Sequence, residues 1–126
     1  MFNVNIKDLT KENTNFRKVI YTGKNSQLVL MSIPQNGDIG NEVHETIDQF
    51  FVFVSGEGEV VINNSEKQKV EKHSAVFVPK GAWHNIVNTG DEDLKLFTVY
   101  SPPAHKDGTI HKIKEEAEAE ENKTEY

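Results

Sequence analysis

The chain has 126 residues, no cysteine and a formal net charge of −6. That length suits one domain with a single core, and the missing thiols exclude a disulfide framework and leave only nitrogen and oxygen donors for any metal. Six Glu and two Lys within 114–125 supply −4 of the charge, so the acidity belongs to a tail and the body is nearly neutral. No Lys/Arg patch interleaved with aromatics occurs, so nucleic acid is not an expected partner. The apolar runs are short and the N-terminal residues lack a charged stretch followed by an apolar one. Neither a membrane partner nor a secretory leader is expected, and the expected compartment is the cytoplasm.

In chain order, residues 7–13 are polar and read as a helical turn or loop, inside an N-terminal segment 1–26 expected to pack on or close the body of the domain. Arg17, Tyr21 and Lys24 lie there; they would suit an anionic or hydroxylated ligand, but surface charge is the expectation. Short apolar runs then predict strands at 18–21, 27–33, 49–55, 59–62, 75–78, 85–87 and 94–100. Turns are expected where Gly, Asn and Asp cluster, at 36–38, 56–58, 63–65 and 89–91. Strands this short and evenly spaced predict an all-β antiparallel sandwich or barrel, with its core in 27–101. The run from Phe50 to Val54 is apolar on both faces, which calls for cover on each side by a second sheet or subunit. Residues 102–126 read as a loop and acidic tail, in which 112–121 has helical Ala/Glu spacing but no apolar stripe and is expected as a frayed helix or disordered chain.

Two stretches concentrate the chemistry: Glu42-Val43-His44 followed by Gln49, and Pro79-Lys80-Gly81-Ala82-Trp83-His84 followed by Asn88. Strand residues two apart share a face, so Glu42 and His44 point inward together if either does. Gln49 is an odd step from His44, so a turn through 45–48 is needed to bring it to the same interior. Gln49, Phe51 and Phe53 would then line one wall and His84 with Ile86 another. Two imidazoles and a carboxylate suit Fe, Mn, Zn or Ni and leave positions open for water or a ligand. Gln49 either coordinates weakly through its amide oxygen or hydrogen-bonds a metal-bound water. Tyr100 is a candidate for the cavity wall, and a candidate proton donor only if it faces inward. His73, His105 and His111 are expected on solvated turns and loops.

The layout resembles the cupins, small jelly-roll β-barrels also described as double-stranded β-helices. Their first motif runs Gly, five residues, His-x-His, four residues, Glu, six residues, Gly; their second runs Gly, five residues, Pro-x-Gly, two residues, His, three residues, Asn. Here Glu42, His44, Gln49 and Gly56 occupy the first motif, and Pro79, Gly81, His84 and Asn88 the second. Asn36 and His73 stand where the motifs open with Gly, Glu42 replaces the first His, and Gln49 replaces the acid. The resemblance implies a divalent metal at Glu42, His44, Gln49 and His84, a small-molecule ligand and a homodimer. It further implies a metal-dependent enzyme acting on a small polar or sugar-like molecule, of isomerase or dioxygenase type. The alternatives are a non-catalytic ligand-binding barrel and a structural dimer with a vestigial site. The missing first-motif acid speaks against simple transfer of the sugar-phosphate isomerase mechanism.

Overall fold

A computed structural model describes residues 1–123. The seven expected strands are present, as β1 (Arg17–Thr22), β2 (Gln27–Ile33), β3 (Asp48–Ser55), β4 (Glu57–Ile62), β6 (Ala75–Val78), β7 (His84–Asn88) and β8 (Leu94–Ser101). Two more complete the sheets: β5 (Glu66–Glu71) and β9 (Ile110–His111). Sequence patterning misses β5 because only Val70 along it is buried. It is an edge strand of the smaller sheet, and its charged outer face protects an open edge from pairing with another chain. β9 has only two residues and carries no pattern of its own.

The strands form an antiparallel six-stranded sheet, β6-β3-β8-β2-β1-β9, and a three-stranded sheet, β5-β4-β7. Their inner faces meet in one core. On β8 the alternation is strict, with Leu94, Leu96, Thr98 and Tyr100 buried; β3 turns Gln49, Phe51 and Phe53 to the same interior, and β7 adds His84, Ile86 and Asn88. The fold is the jelly-roll barrel expected.

The chain crosses between sheets at Gly56. Its φ is +90°, and a Cβ there would stand 2.6 Å from the Asp93 carbonyl oxygen, so only glycine turns this corner. Asn36 and His73, the residues that replace glycine at the motif openings, have φ of 66° and 76°. Both keep the left-handed backbone without the residue best suited to it.

The segments outside 27–101 are integral to the sheet. β1 pairs with β2 along its length, and β9 pairs with β1. Helix α1 (Ile6–Glu12) is capped by the Asn5 side chain, which accepts from the Asp8 N–H. Lys95 ties α1 to the barrel by donating to the carbonyls of Lys11 and Asn13. In the tail, Lys114–Lys123 forms helix α2, its Ala117 reaching the core. The end of the expected acidic tail, 124–126, lies outside the described residues.

Candidate metal centre

Between β2 and β3 the chain runs irregularly beside β7, and backbone bonds fix its register. Ile39 N–H donates to the Ile86 carbonyl, Glu42 N–H to the His84 carbonyl, and His84 N–H back to the Glu42 carbonyl. That reciprocal pair places Glu42 directly opposite His84, with both side chains on one face. His44 is held from the other side, its carbonyl accepting from the Gly81 N–H. Gly81, at φ +85°, makes the left-handed turn of Pro79-Lys80-Gly81 that brings this amide round. The two stretches singled out in the sequence are therefore hydrogen-bonded neighbours.

Their side chains converge. One ligand atom each from Glu42, His44 and His84 lie within 4.8 Å of one another. Glu42 Oε1 is 3.6 Å from His44 Nε2 and 3.5 Å from His84 Nε2. His84 Nδ1 is 3.2 Å from the Ala82 carbonyl, an acceptor that requires the proton on Nδ1 and leaves the Nε2 lone pair aimed at the cluster. Both Nε2 atoms are buried without a hydrogen-bond partner. Burial alone would raise the Glu42 carboxyl, but the facing imidazoles and the charge of Arg17 overcome it and hold the carboxylate well below its usual range. The three groups thus favour positive charge at their common point, which a metal ion would supply.

Gln49 is buried on the inner face of β3. Its Nε2 donates to Thr98 Oγ1 at 3.0 Å, while Oε1 has no partner. Thr98 in turn donates to the Phe50 carbonyl, so the amide is oriented and its oxygen is left free. Phe51, Phe53, Ile86 and Tyr100 are fully buried, with the Phe51 ring 6.0 Å from that of His84. They form the packed bed beneath the cluster. The open space above it, a cavity of about 560 Å³, is walled instead by Glu42, His44, Glu45, Ile47, Ala104 and His105.

Of three residues expected at the surface, Arg17 and His111 lie inside and His105 is half-buried. Arg17 is only 3% exposed, whereas Tyr21 is 47% exposed and Lys24 is also exposed. His105 forms part of the cavity wall, its Nε2 buried without a partner, and its ring meets that of Tyr100 edge-on at 5.0 Å. Burial, with the nearby Arg17 charge, pulls its pKa down to about 3. His111 is buried in β9. The available signal was Gln27, a polar residue opening an inward-facing strand: its side chain grips the loop by accepting from the Ala104 and His105 amides and donating to the His105 carbonyl. His73 alone remains on an exposed turn.

The family model for the cupin domain matches residues 29–100. This chain belongs to the cupin family. It is 43% identical to the protein YrkC of Bacillus subtilis strain 168, over 96% of this chain and 68% of that one. It is 36% identical to protein L612 of Acanthamoeba polyphaga mimivirus, over 85% of this chain and 69% of that one. The crystal structure of BH2720 from Bacillus halodurans superposes with a TM-score of 0.92 at 42% identity, covering 94% of this cupin and 93% of that chain. YrkC and L612 are described as uncharacterized, so the likeness establishes the barrel and leaves the reaction to be argued from the site.

Proposed function

We propose that this cupin binds a divalent metal through Glu42, His44 and His84 and acts as a metal-dependent enzyme on a small polar molecule. The observation that carries the reading is the pair of buried imidazole Nε2 atoms, unpartnered and facing one carboxylate. Buried polar atoms are normally satisfied, and a carboxylate with two imidazoles is a donor set for Fe, Mn, Zn or Ni. When bound, the metal supplies a Lewis acid that polarises a carbonyl or hydroxyl oxygen, or a site for O₂. Gln49, whose amide oxygen is free, would coordinate weakly or hydrogen-bond a metal-bound water. Being neutral, it adds no charge to the ligand set. Glu45 is the carboxylate on the cavity wall outside the cluster, and the group available as a base for isomerase-type chemistry. Oxygen uptake on adding substrate separates the dioxygenase type from the isomerase type.

Elemental analysis of the purified protein tests the metal. Glu42→Ala, His44→Ala and His84→Ala each lower occupancy, His84→Ala at least as much as Glu42→Ala. Unchanged occupancy in all three discards the site and leaves the ligand-binding barrel as the better reading.

Pairing of two copies is also proposed, through the outer face at the β6 edge. Phe50 and Phe77 are cross-strand partners there, 38% and 59% exposed, and form the kind of apolar patch that association covers. The mass in solution, by light scattering, is that of a dimer under this reading. A monomer at all concentrations removes it. Among the described residues no helix is long and apolar enough to cross a membrane.

A further inference from the structure

Arg17 is a permanent cation in the barrel interior, at 3% exposure, and no carboxylate meets it. Among the described residues no Asp or Glu oxygen lies within 4.0 Å of its guanidinium. Its neighbours are an imidazole, an aromatic ring and a phenol: Nη1 is 3.5 Å from His111 Nδ1, the Phe16 ring centroid is 5.5 Å from Cζ, and the Tyr100 hydroxyl is within its reach. Nε is buried without any partner. The Glu42 carboxylate acts on it only from beyond contact distance, and a buried charge with no counter-charge in contact is costly for a fold, so a missing contacting anion is the natural account of it.

The surroundings say where that charge belongs. Both the Arg17 guanidinium and the Gln49 amide come close enough to Tyr100 to act on its hydroxyl. Its ring meets that of His44 edge-on at 5.7 Å on one side and that of His105 at 5.0 Å on the other. Gln49 Oε1 and His105 Nε2 are, like Arg17 Nε, buried without partners. The unsatisfied polar atoms therefore gather around Tyr100, between the guanidinium and the Glu42–His44–His84 cluster. A divalent ion together with Arg17, set against the single Glu42 carboxylate, leaves this interior with positive charge to spare.

The guanidinium is also held in place. Glu120 Oε2 lies 2.5 Å from His111 Nε2, which fixes the ring so that its Nδ1 stands 3.5 Å from Arg17 Nη1. Helix α2 thus reaches the interior through β9, and Glu120 and His111 act as positioning residues. A guanidinium oriented in this way is a fork matched to a planar or tetrahedral oxyanion.

We infer that the ligand of this barrel is a small oxyanion-bearing molecule, and that Arg17 and the Tyr100 hydroxyl, which are buried next to the His105 wall and reached only when the ligand displaces it, bind its anionic group while its other end meets the Glu42–His44–His84 cluster. The inference rests on the proposed metal reading for the second contact only. The carboxylate and the phosphate share the required chemistry, and the test separates them.

Calorimetric titrations of the full-length protein, with metal content measured for each sample, would use acetate, pyruvate and inorganic phosphate, and acetamide and pyruvamide as neutral counterparts. A carboxylate is expected to bind at least tenfold more tightly than its amide, or phosphate to bind where the amides do not; whichever anion binds identifies the class. Arg17→Gln weakens that anion at least tenfold, and Arg17→Lys less, with metal content unchanged. Equal binding of anion and amide overturns the inference, as does binding of none of the anions or full affinity in a folded Arg17→Gln protein. Should Arg17→Gln fail to fold, the anion-against-amide comparison on the unaltered protein decides alone. Anion binding that survives in His84→Ala protein but vanishes in Arg17→Gln protein sustains the Arg17 contact and removes the second contact to the cluster, while metal content alone decides the metal reading.

Discussion

Asn88 and Gln49 are both buried amides on inward-facing strands, and they are treated in opposite ways. The Asn88 Nδ2 donates to the carbonyls of Ile33 and Glu92, and its Oδ1 accepts from the Gly90 N–H. It fastens the turn between β7 and β8 and has nothing left to offer. Gln49 donates to Thr98 and its oxygen is left unpaired, as are Arg17 Nε, His44 Nε2, His84 Nε2 and His105 Nε2. A polar group buried for structure is saturated by the chain itself. One buried for a ligand leaves its bonding capacity open, and the fold must bear that cost until the ligand arrives.

The comparison can be broken by substitution. Asn88→Ala strands two carbonyls and one amide, and is expected to cost about 2–4 kcal/mol in urea unfolding, since each buried group left unsatisfied costs roughly 1–3 kcal/mol. Gln49→Leu removes an amide that was already half unsatisfied, and should change stability by no more than about 1 kcal/mol. A Gln49→Leu protein as unstable as Asn88→Ala would mean that the two amides play the same structural role.

His105 sharpens the comparison through pH. Its pKa is about 3 in the folded protein against 6.5 for an ordinary histidine. Between those values the unfolded chain takes up a proton that the folded chain refuses. The stability it contributes is therefore complete above about pH 6.5 and is lost as pH falls toward 3. The urea midpoint should drop between pH 7 and pH 5, and drop less in His105→Asn. Parallel losses in the two proteins would show that His105 is solvated.

The smallest effect is expected at His73, on the exposed turn before β6. Its left-handed backbone disfavours any residue with a Cβ, so His73→Gly should raise stability by up to about 1 kcal/mol, observed as a higher thermal midpoint. A lower midpoint would mean that the imidazole makes a stabilising contact there.

The Glu42–His44–His84 cluster was legible because its spacing is local arithmetic: Glu42 and His44 two apart, and Gly81 and His84 three apart across one tight turn. The left-handed sites were legible only as gaps in a motif, since Asn36 and His73 have the conformation without the glycine that signals it. The charged strand β5 carries no alternation because one face meets solvent at a sheet edge. Arg17 was misplaced for a different reason. In a regular strand, residues 17, 19 and 21 share a face, but the pairing of β1 with β2 shifts between Val19 and Tyr21. The irregularity leaves Tyr21 exposed while Arg17 stays inside with Val19.

By itself the amino-acid order determined the strands, the turns and the kinds of donor present, because backbone preference and alternation act over a few residues. Which charged and polar side chains share the interior was decided only by the closed barrel. A bulge, a two-residue strand from the tail and the grip of Gln27 on a distant loop set inward from outward, and none of these is a property of neighbours along the chain.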